Sequence, residues 1–418
     1  MEEQKLNIAM LSVHSSPIGK LGTKDTGGMS VYIRELAREL GSRGHRVDIY
    51  TRLSDPRCKQ RSVLYENVHL IHLRAGNGGN TQKLAIYRNL CEFFQELERF
   101  RTDQGLHYDL IHSHYWLSGR VGNWAKDRWD VPHILKFHTL GAVKNVAAKR
   151  EQEPALRIVT EKHLAKSCHR ILAATESEKE QLMRYYGAPP ETIGVVPCGV
   201  NLEHFCPADK ATARQRLGVG LDESVVLYVG RFAPLKGIER LLAAMTYVQD
   251  NQRVRLVIIG GDGHHDPEFQ KLQRLSQKWG IEAAVTFAGR IEQDNLPVYY
   301  SAADVLVVPS HYESFGLVAL ESLACGTPVV TTKVGAMESI IREGETGHVV
   351  SNGSPRLLAK GIEAFVSGPH ATSPDAIRAS ILQFSWANVA AGIIDEYATA
   401  VRLHQYASES TANAAYLN

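Results

Sequence analysis

No stretch of this 418-residue chain is apolar for long enough to cross a bilayer, which takes roughly 18–20 consecutive residues. Net charge is nearly absent too: 47 Lys and Arg stand against 45 Asp and Glu. That balance implies neither a nucleic-acid surface nor a polyanionic tail. Cysteine is scarce, and Cys58, Cys91, Cys168, Cys198, Cys206 and Cys325 form no C-x-x-C pair and no zinc-like grouping. Reduced thiols are expected, not a disulfide scaffold. The opening MEEQKLNIAMLSV lacks the cationic segment and long apolar core of a signal peptide. These absences set the expectation of a cytoplasmic protein with no nucleic acid as partner and no integral membrane contact.

The chain does have 44% hydrophobic residues and a length that asks for two or three cores, not one. Its pattern is strand, loop, helix, repeated. NIAMLSV reads as a buried strand, and a helix follows from about Met29 to Leu40, with Val31, Leu36, Ala37 and Leu40 close to one face. GSRGHRVDIYTR closes it with Gly41 or Gly44 and enters a second strand, and VHLIHL, DLIHSH and HILKFH read as later strands. VVPCGVNLEHFCPAD (195–209) has the Pro, Gly and Asn of a linker. A second series follows: SVVLYVG, RLVIIGG, AVTFAG, ADVLVVPS and TPVVTT. Such alternation indicates parallel sheets covered on both faces. The expected architecture is α/β, with one doubly wound domain over 1–198 plus 386–418 and a second over 199–385. A ligand cleft between them would lie at the carboxyl ends of the strands. SWANVAAGIIDEYATAVRLH (385–404) is the last helix, packing back on the first domain, and ASESTANAAYLN reads as a frayed tail.

KLGTKDTGGMSVYIREL (20–36) sets Gly27 and Gly28 where a loop gives way to a helix. Glycines there make either a tight turn, using close approach or positive φ, or a helix N-terminus laid bare for an anion. In YVGRFAPLKG (228–237), Arg231 and Lys236 follow a strand and precede a helix. Arg offers bidentate hydrogen bonds and Lys a point charge, a pairing suited to a diphosphate; solvated surface charges are the plain alternative. Residues 303–332 form a complete strand–loop–helix–strand unit with Gly316 at the turn. Glu313 in its loop suits sugar hydroxyls and Glu321 in its helix a ribose, while the N–H groups of Gly316, Leu317 and Val318 point out of the helix start. The plain alternative for Glu321 is an exposed helix glutamate. His112 and His114 alternate along a strand, but no carboxylate or third ligand has a natural spacing to them, so no metal site is read there. GGDGHHD (260–266) lacks the G-x-G-x-x-G spacing of a dinucleotide-dependent oxidoreductase.

GRFAPLKG together with PSHYESFGLVALES resembles the donor-site signature of retaining glycosyltransferases of family GT4, with two Rossmann-like domains in the GT-B fold. The resemblance spans nearly the whole chain. In the first domain LSVHSSP, GTKDTGGMSVYI, HSHYWLSG and HTLGAVKN are similar to D-inositol-3-phosphate glycosyltransferases, which begin mycothiol synthesis. Sucrose-phosphate synthases share the G-G loop but typically carry Gln in place of Met29. There are two departures. PCGVN, with Cys198 and Asn201, stands for the usual P-N-G-V-D, and Ser30 stands where Asn usually follows G-G-M.

The resemblance implies donor contacts at Gly27, Gly28, Arg231, Lys236, Arg290, Ile291, Glu313, Phe315, Gly316, Leu317, Val318 and Glu321. For the acceptor it implies Gly28, Met29, Ser30, Lys83, Tyr115, Thr139 and Arg157, the last four around a phosphate. The implied catalytic residues are His138, Arg231, Lys236 and Glu313, with His138 meeting the donor sugar through its side chain or carbonyl. The implied chemistry moves a hexose or N-acetylhexosamine from a UDP-sugar to a phosphorylated polyol or sugar. Configuration is retained, attack comes from the leaving group's face, and the leaving phosphate takes the acceptor proton. No cofactor and no catalytic metal are implied, and a homodimer is left open. Two alternatives stand beside this: a sucrose-phosphate-synthase-like transferase using UDP-glucose and a sugar phosphate, and a non-catalytic sugar-nucleotide sensor.

Overall fold

A computed structural model describes residues 5–19, 26–76, 82–148, 152–249, 253–261, 263, 266–367 and 372–416, with side chains of the last helix described through Tyr406. The loop 20–25, and residues 262, 264 and 265 of GGDGHHD, lie outside the described residues. Among the described residues the chain divides into two compact units. One holds the residues up to Gly19, those from Thr26 to Pro197 and those from Trp386 on; the other holds Cys198–Ser385.

The first unit is built on eight strands: β1 (Asn7–Leu11), β2 (Arg46–Arg52), β3 (Arg61–Tyr65), β4 (Val68–Leu73), β5 (Leu110–His114), β6 (His133–Lys136), β7 (Arg170–Ala173) and β8 (Ile193–Val195). They lie in the order β3-β4-β2-β1-β5-β6-β7-β8. All neighbours are parallel except β3, which pairs antiparallel with β4 at the edge. Chain order reverses direction at β1, between β2 and β5, which is the topological switch point where such sheets bind ligands. Ile8, Ala9, Met10 and Leu11 are all fully buried, as a strand covered on both faces must be. The C-terminal helix, Trp386–Tyr416, belongs to this unit and packs on the helix Gly28–Ser42 and on β6 and β7. It runs through the alanine-rich segment read from sequence as a frayed tail; alanine is the strongest helix former.

The second unit has six parallel strands: β9 (Ser224–Val229), β10 (Val254–Ile259), β11 (Val285–Gly289), β12 (Val305–Val308), β13 (Val329–Thr332) and β14 (Gly347–Val350). Their order, β11-β10-β9-β12-β13-β14, repeats the doubly wound topology and puts the switch point between β9 and β12. The loops that leave these two strands approach each other closely. His311 N–H donates to Leu235 O at 2.8 Å. A Cβ at Gly237, where φ is +69°, would overlap the Pro309 carbonyl oxygen.

Gly237 therefore carries two demands, positive φ and clearance, whereas Gly280 (φ +66°) has nothing within 4 Å of a Cβ. Gly280→Ala is expected to cost about 1–2 kcal/mol for the left-handed backbone alone. Gly237→Ala is expected to cost roughly 1–3 kcal/mol more, the usual penalty for overpacking. Urea unfolding of both variants measures the difference; equal losses would show that the Pro309 contact imposes nothing.

Candidate functional site

In the first unit the helix Gly28–Ser42 starts bare. Its N-cap is Gly27, no side chain among the described residues caps it, and its first turn carries no acid. The positive φ of the tight-turn alternative is not used: Gly27 is extended at φ −165°, and a Cβ on it would meet nothing within 4 Å. Turn geometry does not require glycine here, so what Gly27 contributes is a helix end that, among the described residues, no side chain caps. Met29 is partly buried against the core. Ser30 is fully buried, its hydroxyl 2.7 Å from that of Ser15.

The residues implied for an acceptor phosphate come together, although they lie far apart in sequence. Tyr115 is the first residue after β5, and its backbone is left-handed at φ +76°, a costly conformation for a bulky L-residue. The turn brings its ring to two cations: Arg157 Cζ lies 4.8 Å from the ring centre and Lys83 Nζ 5.2 Å. Arg157 is buried and donates from Nη2 to Thr139 O (2.7 Å) and Thr139 Oγ1 (3.0 Å), and from Nε to Glu161 Oε1 (2.6 Å). Its Nη1 stands 2.9 Å from Glu153 Oε2. Glu161, itself buried, is held by Tyr186 Oη at 2.6 Å and Gly141 N at 3.0 Å. The guanidinium is thus fixed in place. Burial opposes its charge, but Glu161, Tyr115 and Glu153 outweigh that and raise its pKa.

Sequence reasoning missed His14, which follows β1 and lies with its ring 4.4 Å from that of Tyr115. Its Nδ1 is buried without a hydrogen-bond partner among the described residues. Burial, then the charges of Lys83, Arg157 and Arg52, push its pKa down to about 3. Its position at the carboxyl end of the switch-point strand was the available signal. His138 does not end β6 as expected but lies two residues beyond it, left-handed at φ +60°. Its Nε2 is 2.9 Å from Nδ1 of His114.

In the second unit the two sequence motifs meet directly. Lys236 Nζ, on a short 3-10 turn after β9, lies 2.6 Å from Glu313 Oε1 after β12. Ser310 Oγ donates to the same oxygen at 2.7 Å. Arg231 is exposed on the same loop as Lys236, and its carbonyl accepts from Tyr228 Oη at 3.2 Å. Gly316, at φ +115°, starts the helix Leu317–Ala324, which has no side-chain cap and no acid in its first turn. Leu317 and Val318 are partly exposed there; Phe315 is buried, its carbonyl accepting from Ala336 N at 2.9 Å. Arg290 and Ile291 directly follow β11, both partly exposed. These residues share the carboxyl edge of one sheet.

Residues 26–204 match the family model described as Glycosyltransferase Family 4, and residues 209–380 match that described as glycosyl transferases group 1. Over 412 residues the chain is 39% identical to D-inositol 3-phosphate glycosyltransferase 2 of Catenulispora acidiphila, covering 96% of each. It is 40% identical over 405 residues to D-inositol 3-phosphate glycosyltransferase of Acidothermus cellulolyticus, covering 94% of this chain and 90% of that one. Among solved structures, sucrose-phosphate synthase of Thermosynechococcus elongatus is similar with a TM-score of 0.81 at 32% identity, over 98% of this chain and 100% of that one.

Glu321 is not the exposed helix glutamate of the plain alternative. It is buried, and its Oε2 accepts from Tyr300 Oη at 2.8 Å. Burial raises its carboxyl to about 7, against the opposing Tyr300 hydrogen bond and His204. The folded state then binds more protons than the unfolded one between about pH 4.5 and 7, so stability falls as pH rises through that window. Glu321→Gln is expected to remove this slope. It should match the parent at pH 4.5 and exceed it at pH 8 by on the order of 2–3 kcal/mol. Thermal unfolding from pH 4.5 to 8 reads this, and parallel curves for the two proteins would contradict it.

Proposed function

Because this chain belongs to glycosyltransferase family 4, whose members transfer a sugar, we propose that it moves a hexose or N-acetylhexosamine from a UDP-sugar to a phosphorylated acceptor. Inositol phosphate is the acceptor we favour, on the names of the relatives and the inositol-phosphate motifs of the first unit, and UDP-GlcNAc is the donor we pair with it. The observation that carries the acceptor half is the fixed cluster of Lys83, Tyr115, Thr139 and Arg157. The cations of Lys83 and Arg157 over one ring, with His14 neutral beside them, favour an anion there.

In the donor half Arg231, Lys236 and the N–H groups at the start of the helix Leu317–Ala324 stabilise the departing diphosphate. This is electrostatic stabilisation by groups already in place before charge develops. Glu313 is oriented by Lys236 and Ser310, which leaves its second oxygen for the hydroxyls of the sugar. Glu321 takes the ribose. Arg290, Ile291 and Phe315 complete the donor pocket. The acceptor attacks the anomeric carbon from the face the diphosphate leaves, with retention, and its proton passes to a diphosphate oxygen. No metal enters this reading.

The likeness to sucrose-phosphate synthase supports a second reading, UDP-glucose with a sugar phosphate. Nucleoside diphosphate release, measured over a panel of nucleotide-sugars and of inositol and sugar phosphates, separates the two. The first predicts release with a UDP-sugar and inositol phosphate together; no release with any pair would leave a sensor. Lys236→Ala and Arg231→Ala are each expected to lower turnover by on the order of 10²–10³-fold, as removal of one such donor does. Near-normal turnover in both would remove them from the diphosphate.

A further inference from the structure

The sheet face beneath the helices Gly28–Ser42 and Trp386–Tyr416 is polar where an apolar core would be expected. β5 and β6 set His114 opposite Lys136, with His112 two residues earlier on the same face. His112 and His114 are fully buried, and Lys136 is 2% exposed. Among the described residues Lys136 Nζ has no hydrogen-bond partner; it lies 5.0 Å from the centre of the Tyr32 ring. That ring packs edge-on against His114, His138 and Trp386. Tyr397, from the C-terminal helix, holds His112 Nδ1 at 2.8 Å. The rings of His112 and His114 lie 4.2 Å apart, and His114 Nδ1 reaches His138 Nε2 at 2.9 Å.

One of the two nitrogens in that last contact must carry the proton. His114 Nε2 is buried without a partner among the described residues. A buried N–H left unpaired is rarer and costlier than an unpaired lone pair. The proton of His114 therefore sits on Nδ1 and is donated to His138. His138 Nε2 must accept, so its own proton is on Nδ1, an atom used by none of the hydrogen bonds among the described residues. Protonation of all three rings is opposed first by burial and also by the charge of Lys136. The left-handed backbone of His138 turns its ring onto this partner.

We propose that His114 is a positioning residue that fixes His138 as its Nδ1–H tautomer, so that His138 offers substrate a hydrogen-bond donor and no base. This rests on the reading that His138 meets a substrate. With Nε2 occupied by His114, the acceptor proton cannot pass to His138. It goes to the departing diphosphate, and His138 keeps its own proton throughout.

The tautomer is read without any substrate. Long-range ¹⁵N–¹H spectra of the ¹⁵N-histidine-labelled protein, with His138 assigned by its loss in His138→Gln, should show Nδ1 protonated and Nε2 bare. A proton on Nε2, or an even mixture, overturns the proposal. His114→Leu should mix the tautomers of His138 and lower kcat roughly tenfold, the loss of about one hydrogen bond, with KM for both substrates little changed. His114→Asn, whose amide restores an N–H near Nδ1, should recover both; should His114→Leu fail to fold, the parent spectrum and His114→Asn decide. Unchanged kcat and tautomer in His114→Leu also overturn the proposal. If His138→Ala turns over normally while the parent tautomer is Nδ1–H, the fault lies in assigning His138 to substrate.

Discussion

The first unit's site depends on two backbone turns that L-residues avoid. Tyr115 and His138 follow neighbouring parallel strands, and both are left-handed. Each such residue costs of order 1–3 kcal/mol and persists only where its surroundings over-determine it. For Tyr115 the surroundings are Arg157, Lys83 and His14 around one ring. For His138 they are the His114 hydrogen bond and the edge of Tyr32. An extended backbone at either position would carry the side chain away from its partners. The C-terminal helix contributes to the same end, since Trp386 and Tyr397 close the far side of the histidine cluster.

The second unit reaches its geometry differently, by glycine and ion pairing. Gly237 and Gly316 take positive φ without a Cβ penalty, and Gly237 also lets the β9 loop lie against Pro309. That approach lets Lys236 and Glu313 meet at 2.6 Å. The pair is partly exposed, so its worth lies less in stability than in holding two oppositely charged groups at known positions on one sheet edge.

Much of this was legible in the sequence. The repeated strand–loop–helix pattern gave most of both parallel sheets, because a strand buried on both faces reads as a continuous apolar run. β3 escaped because an exposed antiparallel edge strand such as RSVLY has no such run, and β8 because it is only three residues long; β7 and β14 escaped as well. The donor loops could be read because their glycines and charges sit in contiguous motifs. Lys83, Tyr115, Thr139 and Arg157 sit in separate segments, so only family resemblance joined them before the fold did. Nothing in HSHYW or KFHTL marks positive φ, since neither turn uses glycine or asparagine. The burial of Glu321 was hidden because a charged residue on a short helix reads as solvated, and its partner Tyr300 comes from another helix.

The central claim is that the cluster around Tyr115 selects a phosphate. The most direct measurement is the competition of an acceptor against its dephosphorylated form, with one UDP-sugar donor, read as the ratio of kcat/KM. Loss of the charge-assisted contacts to the phosphate should make that ratio at least on the order of 10³. Equal kcat/KM for the two forms would contradict the claim.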